Sequence, residues 1–193
     1  YFMKNSVLYY SVGPLLYCPA NHTGIADSLI RERFGTHYSL ALCLEDTISD
    51  SHVEAAEQQL AATMEKLCRN LEKQSFFLPK IFVRVRNPVQ IARLMILPGN
   101  ASHLIHGFII PKFSLKNADS YIEAILSANQ NSAKPVYMMP ILEDPSLTDL
   151  RTRHEFLYYL KEKLDSVEEL ALNVRVGGND LCHVYGFRRS PEE

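Results

Sequence analysis

Ser39-Leu40-Ala41-Leu42-Cys43-Leu44-Glu45-Asp46 is an apolar run that stops on two acids, and the chain changes period after it. Consecutive apolar side chains in a short run read as a strand buried on both faces. Val53, Ala56, Leu60, Met64, Leu67 and Leu71 then recur at steps of three and four, which places them on one face of a helix. Ser51 with Glu54 has the spacing of a capping box in front of that helix. Strand, acidic end and amphipathic helix together make one βα unit of a parallel sheet.

The same alternation repeats on either side. Five more apolar runs begin at Leu15, Ile81, Gly107, Val136 and Leu170. Their mean spacing of about 31 residues matches one strand plus one crossover helix, roughly 30 residues. Between them, 89–97 reads as a short helix ended by Pro98-Gly99, and 117–129 as a helix with Ala118, Tyr121, Ile122, Ile125 and Leu126 inward. Residues 148–164 read as a third, with Leu150, Leu157, Leu160 and Leu164 inside and Arg151, Arg153, Lys161 and Lys163 largely outside. Met138-Met139 and Tyr158-Tyr159 read as packing residues. No low-complexity segment, linker or residue-level repeat interrupts the pattern.

Composition narrows the classes of function. The chain has 193 residues, 47% hydrophobic and 22% charged, with a formal net charge of −2. That is the balance of an ordinary globular domain, with no electrostatic footprint for nucleic acid. No apolar run reaches the roughly 18–20 residues that span a bilayer. Cys18, Cys43, Cys68 and Cys182 form no C-x-x-C pair and no signal peptide precedes them. Reduced thiols in a cytoplasmic protein are the expectation.

Chemistry gathers immediately after the strands. In order these places hold Pro19-Ala20-Asn21, Glu45-Asp46, Arg84 to Asn87, Pro111-Lys112, Glu143-Asp144 and Gly177-Gly178-Asn179-Asp180. In a parallel sheet they all lie at one end of the domain and can converge on one site. After the first strand a dinucleotide-binding sheet would carry G-x-G-x-x-G, but the residues are Pro19-Ala20-Asn21-His22-Thr23-Gly24, and no P-loop is present. Polar groups after every strand favour a barrel over an open doubly wound sheet.

Leu42 to Asp46, Val83 to Val85, Gly107 to Lys112, Ile141 to Glu143 and Gly177 to Leu181 resemble, in order and spacing, the successive strand-end motifs of the HpcH/HpaI aldolase and citrate lyase β-subunit superfamily. The wording of 38–48 and 173–189 is similar to the bacterial branch associated with tellurium-resistance-type stress gene clusters. The resemblance implies an α/β fold of the (β/α)8 TIM-barrel type. It implies a carbon–carbon bond lyase or aldolase acting on a 2-oxo acid or acyl-thioester (CoA-type) substrate through an enolate stabilised by Mg²⁺ or Mn²⁺. It assigns Glu143 and Asp180 to the metal and Arg84 to a substrate carboxylate, with Gly178 and Asn179 beside the substrate. A homo-oligomer is expected of the intact barrel, with neither nucleic acid nor membrane as a partner.

Each residue also has a plainer reading. Glu143 and Asp180 read equally as a solvated strand-end acid and a helix cap. Glu45 and Asp46 are candidates for catalysis or for orienting Arg84 or Arg86. Lys112 is a candidate Schiff-base nucleophile, as in metal-free aldolases, or one half of a salt bridge in the barrel mouth. His183 reads as an acid–base group or a structural loop residue, and Arg188-Arg189 as a phosphate site or a solvated turn. Cys43 stands where citrate lyase-type relatives have aspartate, which removes a charge from the mouth and counts against a citryl-CoA or malyl-CoA substrate. A barrel that binds a metabolite or a protein partner without turnover is the reading of a different class.

Six units fall short of eight. Only 24 residues remain from Leu170 onward, whereas a TIM barrel typically runs to about 250 residues. The expectation is one incomplete barrel over 1–193, lacking strands seven and eight, with unpaired edges on strands one and six.

Overall fold

The sheet is built from strands that are short, parallel and paired in chain order. The computed structural model of the protein describes residues 7–130 and 132–187. Its strands are β1 (Leu15–Pro19), β2 (Ser39–Cys43), β3 (Ile81–Arg84), β4 (Ile105–Ile110), β5 (Tyr137–Leu142) and β6 (Arg175–Val176). Each pairs in parallel with the next. The helices are α1 (Val7–Tyr10), α2 (Ile25–Ile30), α3 (Val53–Leu71), α4 (Pro88–Ile96), α5 (Ala118–Gln130), α6 (Arg153–Asp165) and α7 (Gly178–Val184). This is a curled, partial TIM barrel, and among the described residues no strand joins β1 to β6.

Alternation along the strands creates two apolar layers. Leu40, Leu42, Ile81, Val83, Phe108, Ile110 and Met138 face outward and pack under the helices. Ala41, Phe82, Ile109, Met139 and Ile141 face the barrel interior. Every residue of β2 is buried, as its unbroken apolar run requires. The interior is stoppered at the N-terminal ends of the strands by Val12 with Leu8 and Tyr9. Ser39 Oγ donates to Val12 O at 2.6 Å and Lys80 Nζ to Ser11 O at 2.7 Å, fixing that stopper.

Two one-residue irregularities re-aim side chains into the interior. Ile81 and Phe82 on β3 face Ile105 and Gly107 on β4, so His106 is the extra residue. Its ring turns in between Phe82 and Tyr137, which is what a bulge does. Gly107 is required beside it, because a Cβ there would overlap the carbonyl oxygen of Tyr137. On the last strand, Met138 pairs with Ala171 but Ile141 pairs with Arg175, so the chain gains one residue between these points. The ladder therefore begins at Leu170, whose carbonyl accepts from Met138 N–H at 2.9 Å, but breaks before it resumes as β6.

Several local expectations are corrected. The capping box does not form: a 3-10 turn at Asp50–His52 leads into α3, and the Ser51 hydroxyl bonds His52 Nδ1 at 3.1 Å. The helix expected from 148 starts at Arg153, because Asp144 caps a separate 3-10 turn, Pro145–Thr148, and Asp149 turns the chain again. Leu150 is consequently 72% exposed, Leu157 is exposed, and only Leu160 of α6 is buried. Leu126 is also exposed, and Tyr158 and Tyr159 stack edge-to-face on the surface. Arg188-Arg189 lie outside the described residues. Among the described residues, no helix is long and apolar enough to cross a membrane.

Candidate active site

Parallel register brings the strand ends together. Arg84 closes β3 and pairs with Cys43, the last residue of β2, so the acids that follow Cys43 come within its reach. Arg84 Nη2 donates to Asp46 Oδ2 at 2.8 Å, forms an ion pair with Glu45 Oε2 at 2.6 Å, and lies 3.8 Å from Glu143 Oε1. Burial works against its charge, but Glu45 and Asp46 outweigh that and hold its pKa above the ordinary value. Asp46 shifts the other way. Burial again opposes its charge, and the hydrogen bond with Glu45 together with Arg84 and Lys112 carries its carboxyl below the usual range.

Lys112 contributes twice. Its Nζ pairs with Glu45 Oε1 at 2.7 Å and reaches Asp46 Oδ1 at 3.7 Å. The hydrogen bond it donates to Glu45 raises its pKa above the ordinary lysine value, against the cost of burial. Its backbone N–H donates to Glu143 Oε1 at 2.8 Å. Lys112 adopts a φ of 51°, left-handed backbone that non-glycine residues seldom occupy.

Glu143 is buried at the end of β5. Burial raises its pKa, the Lys112 N–H works in the opposite direction, and the charge of Asp180 raises it again. Asp180 lies in the first turn of α7. Glu143 and Asp180 line one cleft of about 260 Å³ with Tyr17, Arg84, Arg175 and Gly177. Gly178 and Asn179 also line it. A larger hollow, about 480 Å³, opens at the opposite ends of the strands beside Lys80 and Tyr38, but it holds none of the strand-end acids.

Arg86 stands apart from this cluster. It donates to the carbonyls of Leu44, Glu45 and Ile48 at 3.2, 3.3 and 2.8 Å and pairs with Asp50. It thus staples the loop that carries Glu45 and Asp46. His183 is exposed on α7. Two cleft residues, Tyr17 and Arg175, escaped the sequence reading. Both lie inside predicted strands and not after them, and Arg175 turns inward only because of the register slip.

The residues fit a hard divalent cation. Among the described residues no group of three or more His, Cys, Asp or Glu side chains is placed to hold an ion. Mg²⁺ does not need one, since one or two carboxylates with water and substrate oxygens complete its shell. Glu45 and Asp46 are matched by Arg84 and Lys112, whereas Glu143 and Asp180 line the same cleft and the charge of Asp180 raises the Glu143 pKa, a repulsion that a cation relieves. Gly177 provides the space: a Cβ there would overlap Glu143 Oε2.

Known structures with this fold include the Mycobacterium tuberculosis citrate lyase β subunit complexed with oxaloacetate and magnesium. It is 14% identical, has a TM-score of 0.52, and the match covers 96% of this chain and 66% of that one. The M. tuberculosis protein CitE in complex with magnesium and pyruvate gives 14% identity and a TM-score of 0.52, over 95% of this chain and 61% of that one. A Haloferax volcanii malate synthase, in a lead(II) complex, gives 12% identity and a TM-score of 0.65, over 94% of this chain and 54% of that one. The protein thus spans just under two thirds of the length of such structures, or less. No curated protein matches it significantly in sequence. A family model described as the C-C bond lyase of the TIM-barrel fold matches residues 6–193, and the chain belongs to that family.

Proposed function

We propose that the protein is a Mg²⁺- or Mn²⁺-dependent carbon–carbon bond lyase or aldolase, acting on a 2-oxo acid or an acyl thioester. The observation that carries this reading is the distribution of charge in the mouth. Of its four acids, Glu45 and Asp46 are held closely by Arg84 and Lys112, while Glu143 has Arg84 no nearer than 3.8 Å and Asp180, in the same cleft, makes no ion pair among the described residues. Magnesium complexes of structurally similar proteins with oxaloacetate and pyruvate agree with the choice of ion and ligand class.

Glu143 and Asp180 would hold the ion, which when bound supplies Lewis acidity to the substrate carbonyl as negative charge develops there. The chain's own groups orient the reactants. Lys112 N–H fixes one oxygen of Glu143 and leaves the other toward Gly177. Glu45 and Asp46 hold Arg84 at one nitrogen, which presets the orientation of its guanidinium toward a substrate carboxylate.

The Schiff-base alternative through Lys112 is disfavoured. A nucleophilic amine must be neutral, and the Glu45 partner holds Lys112 in its charged form. The deciding experiment is calorimetric titration of MgCl₂ into wild type, Glu143→Gln and Asp180→Asn. Saturable binding in the wild type and its loss in both variants supports the metal reading, whereas equal heats from all three would remove it.

A further inference from the structure

We propose that Glu57, a buried acid on the helix side of the sheet, is a positioning residue for the mouth: through Gln90 it fixes Arg86, and through Arg86 the loop that presents Glu45 and Asp46 to Arg84. The effect on a substrate rests on the lyase reading of the cleft, whereas the effect on the loop does not.

An acid is out of place where Glu57 stands. It lies early in α3 between Ala56 and Leu60, both members of the apolar layer under the helices. It is only 2% exposed, and its partner Gln90 on α4 only 4%. Glutamates are almost never buried this fully unless paired. Replacing both partners of a buried polar pair by apolar groups of the same shape is often neutral or stabilising. Stability alone therefore gives no reason for the pair, but its contacts do.

Gln90 Nε2 donates to Glu57 Oε1 at 2.7 Å, and Gln90 Oε1 accepts from the Arg86 N–H at 2.8 Å. A carboxylate only accepts hydrogen bonds, so Glu57 permits one orientation of the Gln90 amide, with its nitrogen toward α3 and its oxygen toward Arg86. Turned over, the amide would set N–H against N–H at Arg86. The two ends are held as well. Gln90 N–H donates to Asn87 Oδ1 at 3.1 Å, which caps α4, and Arg93 Nε stands 3.0 Å from Glu57 Oε2 as its counter-charge.

Arg86 carries the constraint to the mouth. Its guanidinium donates to the carbonyls of Leu44, Glu45 and Ile48, so the place of its backbone decides where that loop sits. Within the loop, Asp46 accepts from Arg84 at 2.8 Å, and Glu45 pairs with Arg84 and Lys112. Neither Gln90 nor Arg93 lines the cleft, so the influence of Glu57 there passes through Arg86.

Apolar replacements separate positioning from stability. Glu57→Leu and the double variant Glu57→Leu/Gln90→Leu are compared with wild type, as full chains, by urea unfolding and by native-state amide exchange, with residues 44–50 read against β4 as internal standard. Glu57→Leu should speed exchange over 44–50 about tenfold relative to β4. The double variant should regain stability, since neither partner is left alone, yet keep the fast loop. Glu57→Gln retains an acceptor oxygen and should hold the loop within about twofold of wild type. In saturating MgCl₂, pyruvate should bind Glu57→Leu about fivefold more weakly, while Mg²⁺ alone binds within about twofold, because Glu143 and Asp180 stand on other elements.

Wild-type loop exchange in Glu57→Leu, loop exchange that merely follows global stability, or equal loosening in Glu57→Gln and Glu57→Leu overturns the positioning role. Wild-type pyruvate affinity beside a loosened loop overturns its reach to Arg84. If Glu57→Leu does not fold, the double variant takes its place under the same criteria. Should wild type bind neither Mg²⁺ nor pyruvate, the lyase reading falls separately, and the exchange comparison still decides the role of Glu57.

Discussion

Gly177 lies against Glu143 so closely that a Cβ on it would overlap Oε2 and come within 2.5 Å of the Glu143 Cβ. The second contact matters more, because a carboxylate can swing away but a Cβ is fixed by the backbone. Gly177→Ala should therefore displace Glu143 as a whole. Overpacking of this kind costs about 1–3 kcal/mol, and the Lys112 N–H to Glu143 bond would go with it. The expected results are a lower melting temperature and a loss of Mg²⁺ affinity of tenfold or more by titration. Wild-type affinity in a folded variant would mean that Glu143 does not hold the ion.

Lys112 serves Glu143 through its backbone and Glu45 through its side chain. Removing the side chain should leave the first contact intact. The ion pair is half exposed on the lysine side, and such pairs contribute about 0–1 kcal/mol. Lys112→Met should thus stay folded and bind Mg²⁺ within about threefold of wild type. Borohydride reduction in the presence of a 2-oxo acid should leave the wild-type mass unchanged. A stable adduct mapped to Lys112 would restore the Schiff-base mechanism.

Much of this is legible in the sequence. Buried runs with acidic or basic ends located β1, β2, β3 and β5 to within a residue or two, because a strand covered on both faces has a composition of its own. The strand-end residues Glu45, Asp46, Arg84, Lys112, Glu143 and Asp180 were visible for the same reason. What stayed hidden depends on register. His106 and Arg175 are aimed by one-residue slips, and a period-two reading of the strand assigns such residues to the wrong face. Helix α6 was misread because leucines at 150, 157, 160 and 164 satisfy a helical period even though the chain turns at Asp149. Periodicity says what could share a face, whereas the turn decides where the helix begins.

Arg86 offers a test of how the loop that carries Glu45 and Asp46 is held. Its guanidinium donates to three carbonyls between Leu44 and Ile48 and pairs with Asp50, while its backbone N–H is bonded to Gln90 Oε1 at 2.8 Å. Hydrogen bonds to charged groups contribute about 1.5–3 kcal/mol. Arg86→Ala should destabilise the fold by about that amount in urea unfolding. It should also loosen Glu45 and Asp46, visible as faster amide exchange over residues 44–50 than over the rest of the sheet. Uniform exchange across the protein would show that the loop holds its shape without Arg86.

His106 predicts a pH dependence located away from the acids. Burial, with smaller contributions from Lys80 and Lys134, lowers its pKa from 6.5 to about 4, and its Nε2 is buried without a hydrogen-bond partner. The unfolded chain therefore binds this proton more readily than the folded one. Stability from His106 is complete above about pH 6.5, declines as the pH falls toward about 4, and changes no further below that. His106→Phe retains a ring between Phe82 and Tyr137 and removes the titration. Chemical unfolding between pH 7 and pH 4 should show a shallower loss of stability in the variant than in wild type, and parallel curves would mean that His106 is not the group being protonated.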